Sequence, residues 1–251
     1  MKWAPCMLMT LSLMVPACDH DSVETPRRPQ PIQTPPPSGA IVLWNGADAN
    51  QWIMANGDPC AWEVSGRDLV VASGTGDLLS AMPLGTGHYH IEWLSPPGGS
   101  RWGQRNGNSG IKIASRYELQ ILNTPAVDQT GELPNDEAGS IYGYRAPDVN
   151  ASSGSGTWQS YDIHYTAPVW QNGTKQADAR LTVYWNGILI HDDVTMTAAT
   201  GASAEEDASP RPLLLQDHAS TAAPVRFRNI WHLPSDQSHS HLIRSMDPTQ
   251  Q

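Results

Sequence analysis

The sequence predicts an all-β domain in which antiparallel sheets form a sandwich. Short segments alternate between polar and apolar residues, which is the period of a half-buried strand. Turn signals separate these segments, and Asn186–Gly187 inside ARLTVYWNGILI (Ala179–Ile190) is the dipeptide that closes a tight hairpin. No segment keeps a helical period over ten residues. Short strands at this spacing are typical of an antiparallel sandwich.

The first residues have the composition of a targeting segment. Lys2 precedes the mostly apolar run Trp3–Val15, which is too short to span a bilayer. The ending VPAC resembles the lipobox of bacterial lipoproteins, whose cysteine is acylated and becomes the first residue of the mature chain. We therefore expect residues 1–18 to be a signal peptide, with export to the periplasm or cell surface and membrane contact only through lipid on Cys18. An ordinary secretory peptide cut near Ala17 is the alternative.

The rest of the chain divides into a linker, one domain and a tail. Residues 19–39 contain repeated prolines and no apolar period, which predicts an extended tether. Residues 40–234 show no internal repeat and no change in composition, so we expect one β-sandwich domain with a large core. Residues 235–251 have the composition of a flexible polar tail. Cys60 is the single cysteine after Cys18, which excludes an internal disulfide in the mature chain.

Charge and aromatic content restrict the class of ligand. The formal net charge is −10 and no segment is rich in lysine or arginine, which argues against nucleic acid as a partner. Ten tryptophans stand against one phenylalanine. Flat indole rings stack on the apolar faces of sugars, and their N–H groups donate to hydroxyls. This composition favours a carbohydrate partner, although tryptophan is also a common core residue.

Strands are predicted along most of the domain. In HYHIEWL, His88–Leu94, apolar side chains take one face, and His88, His90 and Glu92 take the other. These three side chains form a possible metal triad, but histidines near a strand start are more often hydrogen-bonded at the surface. The other predicted strands lie at Ala40–Leu43, at Trp62–Val71 with a turn at Ser65–Gly66, and at Trp158–Thr166, Pro212–Gln216 and Val225–Leu233.

The central stretch SGIKIASRYELQIL, Ser109–Leu122, is the candidate site. One parity of this stretch is apolar, aromatic or small, and Lys112, Arg116, Glu118 and Gln120 occupy the other. The pattern predicts one long strand with a packed face and a charged face. Same-face neighbours along a strand are about 6.5–7 Å apart, so Arg116, Glu118 and Gln120 would form a row that grips a polar ligand.

Twelve short motifs follow one another along residues 41–234. They are LWNGADANQW, WEVSGRDLVV, GDLLS, YHIEW, PPGG, GNSGIKI, YELQIL, GSIYG, WQSYDI, LTVYWNGILI, LLLQDHA and VRFRNIWHLP. In this order they resemble the motifs of the 3-keto-disaccharide hydrolase family. The resemblance implies a concanavalin-like jelly roll, in which two curved antiparallel sheets hold the ligand on the concave sheet. It also implies an exported bacterial protein that cleaves glycosides whose sugar has first been oxidised to a ketone at C3.

A 3-keto sugar relaxes what the site must contain. An ordinary glycosidase needs two carboxylates, about 5–5.5 Å apart when retaining and about 6.5–9.5 Å apart when inverting. The predicted row offers Glu118 alone, and Glu92 would have to come from another strand. A ketone at C3 acidifies the C2 proton and places the C1 leaving group in the β position, so one base and one enolate stabiliser suffice. Elimination would then precede the addition of water.

The resemblance assigns roles to the candidate residues. Glu118 or His218 removes the C2 proton, and the other residue, or a bound divalent cation, polarises the C3 oxygen. Gln120 and Asn108 orient hydroxyl groups. No cofactor is otherwise expected.

Further binding residues are expected around this pair. Arg116 and Arg226 would neutralise developing oxyanion charge or hold the base ionised. Glu92 would bind substrate from a neighbouring strand. Tyr142 and Trp158 belong either to the core or to a platform on which the sugar stacks.

Two other interpretations of the chain stay open. One is a non-catalytic carbohydrate-binding module on the same scaffold, although a pure binder does not need a charged row at the centre of the sheet. The other is a structural surface protein whose concave face is filled by its own inserts, Asn123–Ala138 and Asp193–Ser209. The acidic run in the second insert lacks the ligand spacing of a calcium loop, so we expect it to be solvated.

Overall fold

The computed structural model of the protein describes Met1 and residues 33–97, 104, 107–126, 133–219 and 224–235. Apart from Met1, the predicted signal peptide with Cys18 lies outside these described residues, as do the linker up to residue 32 and the tail from residue 236. Within the described part of the chain, no helix is long and apolar enough to cross a membrane.

All the regular elements in the described residues are β-strands, which confirms the predicted all-β class. In chain order they are β1 (Ile41–Trp44), β2 (Trp52–Met54), β3 (Glu63–Ser65), β4 (Asp68–Val70), β5 (Leu78–Pro83), β6 (Gly87–Leu94), β7 (Ser109–Ile113), β8 (Tyr117–Ile121), β9 (Trp158–Thr166), β10 (Val169–Gln171), β11 (Thr174–Ala177), β12 (Ala179–Trp185), β13 (Ile188–Met196), β14 (Pro212–Leu215) and β15 (Arg226–Pro234).

These strands form two main sheets that pack face to face. The larger sheet has the order β13-β12-β9-β6-β15-β4-β3, and β1 also pairs with β15. The smaller sheet has the order β2-β5-β14-β7-β8, and β10 and β11 form a separate hairpin. All of these strand pairings are antiparallel. The predicted sandwich of antiparallel sheets is therefore confirmed.

The core between the two sheets is rich in aromatic side chains. Trp93, Tyr161 and Trp185 are fully buried, with ring centroids no more than 6.4 Å apart. The Tyr161 hydroxyl donates to the backbone carbonyl of residue 120 at 2.9 Å and so joins the sheets. Six of the eight described tryptophans are buried, and the other two, Trp158 and Trp170, are partly exposed. In this part of the chain, the tryptophan content reflects core packing more than sugar binding.

The stretch Ser109–Leu122 is a hairpin, so the prediction of one long strand is wrong. β7 and β8 pair with Lys112 opposite Glu118, and residues 114–116 form the turn. Because the turn has three residues, the numbers of two cross-strand partners differ by an even number. Residues of the same parity on the two strands therefore lie on the same face of the sheet. The apolar set therefore faces the core and the polar set faces outward, as the alternation predicts.

Largely buried charged side chains form a network on the outer face of the larger sheet. Asp162 binds His90 Nδ1 at 2.8 Å and His88 Nε2 at 2.9 Å. Glu92 accepts a hydrogen bond from Arg228 Nε at 2.7 Å. No group of three metal-ligating side chains occurs among the described residues. These histidines and Glu92 have hydrogen-bond partners, as in the predicted alternative, but His90 and Glu92 are buried and do not lie at the surface.

The end of the linker packs against this network. Asn229 Nδ2 and Trp231 Nε1 donate to the Thr34 carbonyl at 2.9 and 3.2 Å. Trp231 also stacks on His90, with ring centroids 5.0 Å apart. The end of the linker is thus bound to the outer face of the larger sheet and does not extend away from the domain.

The network shifts the pKa values of its members. Burial by itself lowers the pKa of His90, but the hydrogen bond to Asp162 and the Glu92 carboxylate, 3.5 Å from Nε2, outweigh burial and raise this pKa to about 9. Burial raises the pKa of each of these two carboxyls, but their hydrogen bonds outweigh it and hold both pKa values below the usual range. His90 is therefore a buried cation between two carboxylates.

We expect the His90 cation to make the free energy of unfolding depend on pH. A group whose pKa rises on folding contributes stability that is complete below its unfolded value of 6.5 and is lost as the pH rises through about 9. The loss should be on the order of 3 kcal/mol. Urea unfolding measured across this pH interval gives the slope, and His90→Gln should flatten it.

The matched control is His164→Gln. His164 lies on the same sheet and its pKa is lowered by burial, so it does not gain a proton in this interval and its variant should keep the parent's slope. A His90→Gln protein that still loses as much stability as the parent over the same interval would contradict the assignment.

Candidate functional site

Glu118 lies on the outer face of the smaller sheet and pairs with Lys112 across the β7–β8 hairpin. Lys112 Nζ is 3.4 Å from Glu118 Oε2, and each side chain is 5% exposed. The ammonium group also donates to the Ala202 carbonyl at 3.3 Å. A charge this far from water needs a close partner of opposite sign. The ionic partner of Glu118 is therefore Lys112. The prediction from sequence, in which Arg116 holds Glu118 ionised, is wrong.

The position of the Glu118 carboxylate depends on the glycine at position 110. A Cβ at Gly110 would lie 2.4 Å from Glu118 Oε1. Gly110 pairs with Gln120 on β8, and the backbone N–H of Gln216 donates to its carbonyl at 2.9 Å. The carboxylate thus leans over Gly110, between Gln120 and Gln216 on the two neighbouring chain segments.

Three buried amide oxygens around this carboxylate have no hydrogen-bond donor within the described residues: Asn108 Oδ1, Gln120 Oε1 and Gln216 Oε1. The amide nitrogens of Asn108 and Gln120 both donate to Gln104 Oε1, at 3.0 and 2.9 Å, which fixes their side chains. Buried acceptors normally have a donor, so these oxygens are suited to receive hydroxyl groups of a ligand. The structure therefore brings the predicted Asn108 and Gln120 together and adds Gln216.

His218 stands at the edge of the same group. It lines a small cavity together with Asn108, and its side chain is exposed. His218 lowers the pKa of the Glu118 carboxyl through its charge. Of the two predicted catalytic residues, one is therefore buried and the other is open to solvent.

Asp77 is a second carboxylate near Glu118 that the sequence did not reveal. Its Oδ1 accepts a hydrogen bond from the backbone N–H of Asp217 at 2.9 Å. The Asp217 carboxylate accepts hydrogen bonds from the backbone N–H groups of Gly76 and Ala219, at 3.0 and 2.8 Å, and so stabilises two turns. These bonds hold the loop that carries His218.

The pKa of Glu118 lies above its ordinary value. Burial is the largest cause and raises this pKa, and the Asp77 carboxylate adds to the increase. Lys112 and His218 act in the opposite direction but do not cancel it. A carboxylate with a raised pKa holds a proton more tightly and is a stronger general base.

Tyr142 borders the carboxylate from the other side. Its backbone N–H donates to the Glu118 carbonyl at 2.9 Å, which places it beside β8. A Cβ at Gly201 would lie 3.1 Å from the Tyr142 ring and 3.2 Å from Glu118 Oε2. The half-buried Tyr142 ring is therefore next to Glu118 and outside the core, which leaves the sugar platform of its two predicted roles.

Arg116 holds a loop in place instead of facing a ligand. Its guanidinium donates to the Glu205 carbonyl at 3.0 Å and to Asp207 Oδ1 at 2.5 Å. On the same loop, Thr200 Oγ1 accepts from the backbone N–H of Glu118 at 2.8 Å. Residues 200–209, the strap, thus cross the hairpin and cover part of the Glu118 face. The predicted role of Arg116 in binding an oxyanion is corrected, because its donors are used by the strap.

Two of the three acidic residues of the strap are paired, which corrects the prediction for them, whereas Glu205 is exposed as predicted. Glu206 accepts hydrogen bonds from the Tyr117 hydroxyl and from Lys175 Nζ, the latter at 2.6 Å. Asp207 binds both Arg116 and Arg211. These side chains fasten the strap to the body of the domain.

Glu92, Trp158 and Arg226 do not lie near Glu118. They occupy the outer face of the larger sheet, where Arg226 pairs with Asp68 at 3.4 Å and Trp158 stacks under Arg228 at 3.9 Å. Packed sheets are about 10 Å apart, so both sheets separate these residues from the Glu118 carboxylate. Glu92 cannot be a second carboxylate for Glu118, and Arg226 cannot hold Glu118 ionised. Their placement in one site with Glu118 was wrong.

Sequence and structure both relate the chain to proteins that act on carbohydrates. The family described as a 3-keto-alpha-glucoside-1,2-lyase-like domain matches residues 39–232. The chain is 31% identical to a candidate glycosyl hydrolase from Parabacteroides distasonis ATCC 8503, with a TM-score of 0.71 over 78% of this chain and 84% of that one. A second candidate glycosyl hydrolase from that organism is 20% identical, with a TM-score of 0.58 over 79% and 94% of the two chains, and shares the fold. No curated protein sequence matches the chain.

We expect Lys112→Met to raise the pKa of Glu118 further, because the ammonium group lowers this pKa in the parent protein. Methionine keeps a long, flexible side chain and removes the charge. The titration of the Glu118 carboxyl, identified in infrared difference spectra against Glu118→Gln, measures the change.

Lys175→Met serves as the control for this measurement. Lys175 pairs with Glu206 and Asp178, so its removal deletes a lysine ion pair without touching Glu118. An unchanged Glu118 titration in Lys112→Met would show that the ion pair does not control the carboxyl.

Proposed function

The chain belongs to the 3-keto-alpha-glucoside-1,2-lyase-like family, and from this premise we propose that it cleaves the glycosidic bond of 3-keto-glucosides or 3-keto-disaccharides by elimination followed by hydration. The observation that carries the proposal is the buried Glu118 carboxylate with a raised pKa, 3.4 Å from the Lys112 ammonium group. This arrangement supplies one base and one cation. A ketone-assisted elimination needs both, and a second carboxylate acting as nucleophile is not required.

The proposed first step is proton transfer from C2 of the sugar to Glu118. The C2–H bond breaks, its electron pair forms the C2–C3 double bond, and the C3 oxygen becomes an enolate. Glu118 is then neutral, so the positive charge of Lys112 is no longer balanced by its carboxylate. The same ammonium group can therefore stabilise the enolate oxygen at the moment when negative charge develops there.

The second step breaks the bond between C1 and the leaving oxygen. The enolate reforms the C3 ketone, a double bond forms between C1 and C2, and the leaving oxygen takes a proton. The exposed His218 at the rim of the site is positioned to supply this proton. Water then adds across the double bond: its oxygen bonds to C1, the proton held by Glu118 returns to C2, and the proton released from the water restores His218, which gives the free 3-keto sugar.

The remaining groups would orient the sugar. The buried oxygens of Asn108, Gln120 and Gln216 can accept hydrogen bonds from its hydroxyl groups, and Tyr142 offers an aromatic ring beside Glu118. The described residues hold no cluster of three His, Cys, Asp or Glu side chains suited to a metal. The proposal therefore assigns polarisation of the C3 oxygen to Lys112. Whether a divalent cation takes this role instead is tested with EDTA below.

We expect Glu118→Gln and His218→Ala each to lower turnover of a 3-keto-glucoside by roughly 100-fold or more, because each removes a proton-transfer group. Sugar release and exchange of the C2 proton for deuterium, both followed by NMR, measure the two steps. Glu118→Gln should abolish exchange and release together. His218→Ala should slow release while exchange continues.

Arg226→Ala is the matched control, since Arg226 is a charged residue on the opposite outer face. It should keep the parent's turnover. Release without C2 exchange would replace elimination by direct displacement, and loss of turnover in EDTA that a divalent cation restores would move polarisation from Lys112 to a metal. Binding of unoxidised oligosaccharides with no turnover of any keto sugar would make the protein a binding module.

We also propose that the protein is exported and held on a bacterial membrane through lipid on Cys18. The VPAC ending of the apolar N-terminal segment supports this. Cells fed an alkyne-labelled fatty acid should label the wild-type chain, and Cys18→Ser should remove the label and release the protein from the membrane fraction. Equal labelling of both chains would contradict the assignment.

A further inference from the structure

A second cavity opens at the end of the sandwich that holds the β7–β8 turn. Its volume is about 170 Å³, and it shares no lining residue with the cavity of Asn108 and His218. Its walls come from the turn, the loop after β5, the connection between β9 and β10, and the end of the strap. These four segments belong to the described part of the chain, and none of them carries a residue of the proposed catalytic group.

Two N–H donors of residues that line this cavity are buried without an acceptor among the described residues. They are Trp170 Nε1 and Arg211 Nε. A buried donor without a partner is costly, and native structures keep few of them. Two such donors on residues that line one cavity favour a ligand that accepts hydrogen bonds, which these side chains would reach by turning toward the cavity.

One acceptor position is also open on the wall of the cavity. The Asp207 carboxylate receives Arg116 Nη2, Arg211 Nη2 and the backbone N–H of Ser209. An ionised carboxylate has about four lone-pair sites, so one position is left for a hydroxyl donor. The cavity thus offers donors and an acceptor together.

The remaining wall is largely apolar, because Leu84, Pro168, Trp170 and Pro210 line it. Tyr165 also lines it, but its ring packs in the core against Tyr89 and Tyr117. Trp170 is one of the two described tryptophans that the core does not bury. Aromatic faces beside hydrogen-bonding groups match a pyranose, which has an apolar C–H face and a rim of hydroxyl groups.

From these four features we infer a second carbohydrate site, which binds one neutral pyranose unit of a glycan between Trp170, Arg211 and Asp207. It is separate from the Glu118 site and has no role in bond cleavage. Its function is to hold the protein on a glycan while the Glu118 face acts elsewhere. The inference does not depend on the reaction proposed for Glu118, because binding to this cavity is measured without turnover.

The test is binding of methyl pyranosides of glucose, galactose, mannose and N-acetylglucosamine to the full chain carrying Glu118→Gln. Isothermal titration and saturation-transfer NMR measure affinity and the bound sugar protons. Trp170→Phe keeps an aromatic face and removes the N–H, and Arg211→Lys keeps a cation for Asp207 and removes Nε. Each substitution should weaken binding of at least one pyranoside by roughly fivefold, the effect of one net hydrogen bond.

Trp158→Phe is the matched control, because Trp158 is the other partly exposed described tryptophan and lies under Arg228 on a different surface. It should leave the affinity unchanged. Trp170→Phe in an otherwise wild-type chain should also leave turnover of a soluble 3-keto-glucoside unchanged, which separates the two sites.

Three outcomes would overturn the inference. The first is equal affinity in the parent, Trp170→Phe and Arg211→Lys, or no binding of any of the four sugars at tens of millimolar. The second is binding of methyl glucuronide with no binding of the neutral sugars, which would make the cavity an anion site. The third is a loss of turnover in Trp170→Phe that equals its loss of affinity, which would place the cavity within the Glu118 site.

Discussion

The ion pair between Lys112 and Glu118 is the interaction on which the candidate site depends. Both side chains are almost completely buried on the outer face of the smaller sheet, and their charged groups are 3.4 Å apart. If either charge were removed, water could not take its place as the partner of the other. Gly110 leaves the space that the carboxylate occupies, and Gln120 and Gln216 flank it. A proton moved onto Glu118 therefore changes the charge balance of the whole face at once, which is why we propose the pair as base and enolate stabiliser.

The strap decides how far this pair is shielded from solvent. Arg116 lies in the turn of the same hairpin and binds the strap through Glu205 and Asp207, while the backbone of Glu118 binds it through Thr200. One end of the strap thus covers the site and the other forms a wall of the second cavity. A single loop, held by Arg116 and by several further hydrogen bonds and ion pairs, shapes two surfaces with different chemistry.

Buried carboxyls on the two outer faces have opposite pKa shifts for one physical reason. Burial raises the pKa of Glu92, Asp162 and Glu118 alike. The first two are each hydrogen-bonded by two cationic or polar donors and stay ionised, whereas Glu118 has Lys112 at 3.4 Å and a second carboxylate nearby. The number and proximity of donors therefore separate structural carboxylates from the candidate base.

The sequence by itself determined the all-β class and the inward and outward parities of Ser109–Leu122, because alternation and turn chemistry are local properties of the chain. It also determined the family, because the order of twelve short motifs can be read directly along the chain. Only the tertiary structure decided which polar residues meet. Lys112 and Arg116 share a parity with Glu118, but the turn at residues 114–116 makes Lys112 the cross-strand partner and directs Arg116 to the strap. Likewise, Glu92 and Arg226 look equivalent to Glu118 in the sequence, yet packing of the two sheets puts them on the opposite surface, since parity fixes a face of a strand but not which sheet that strand joins.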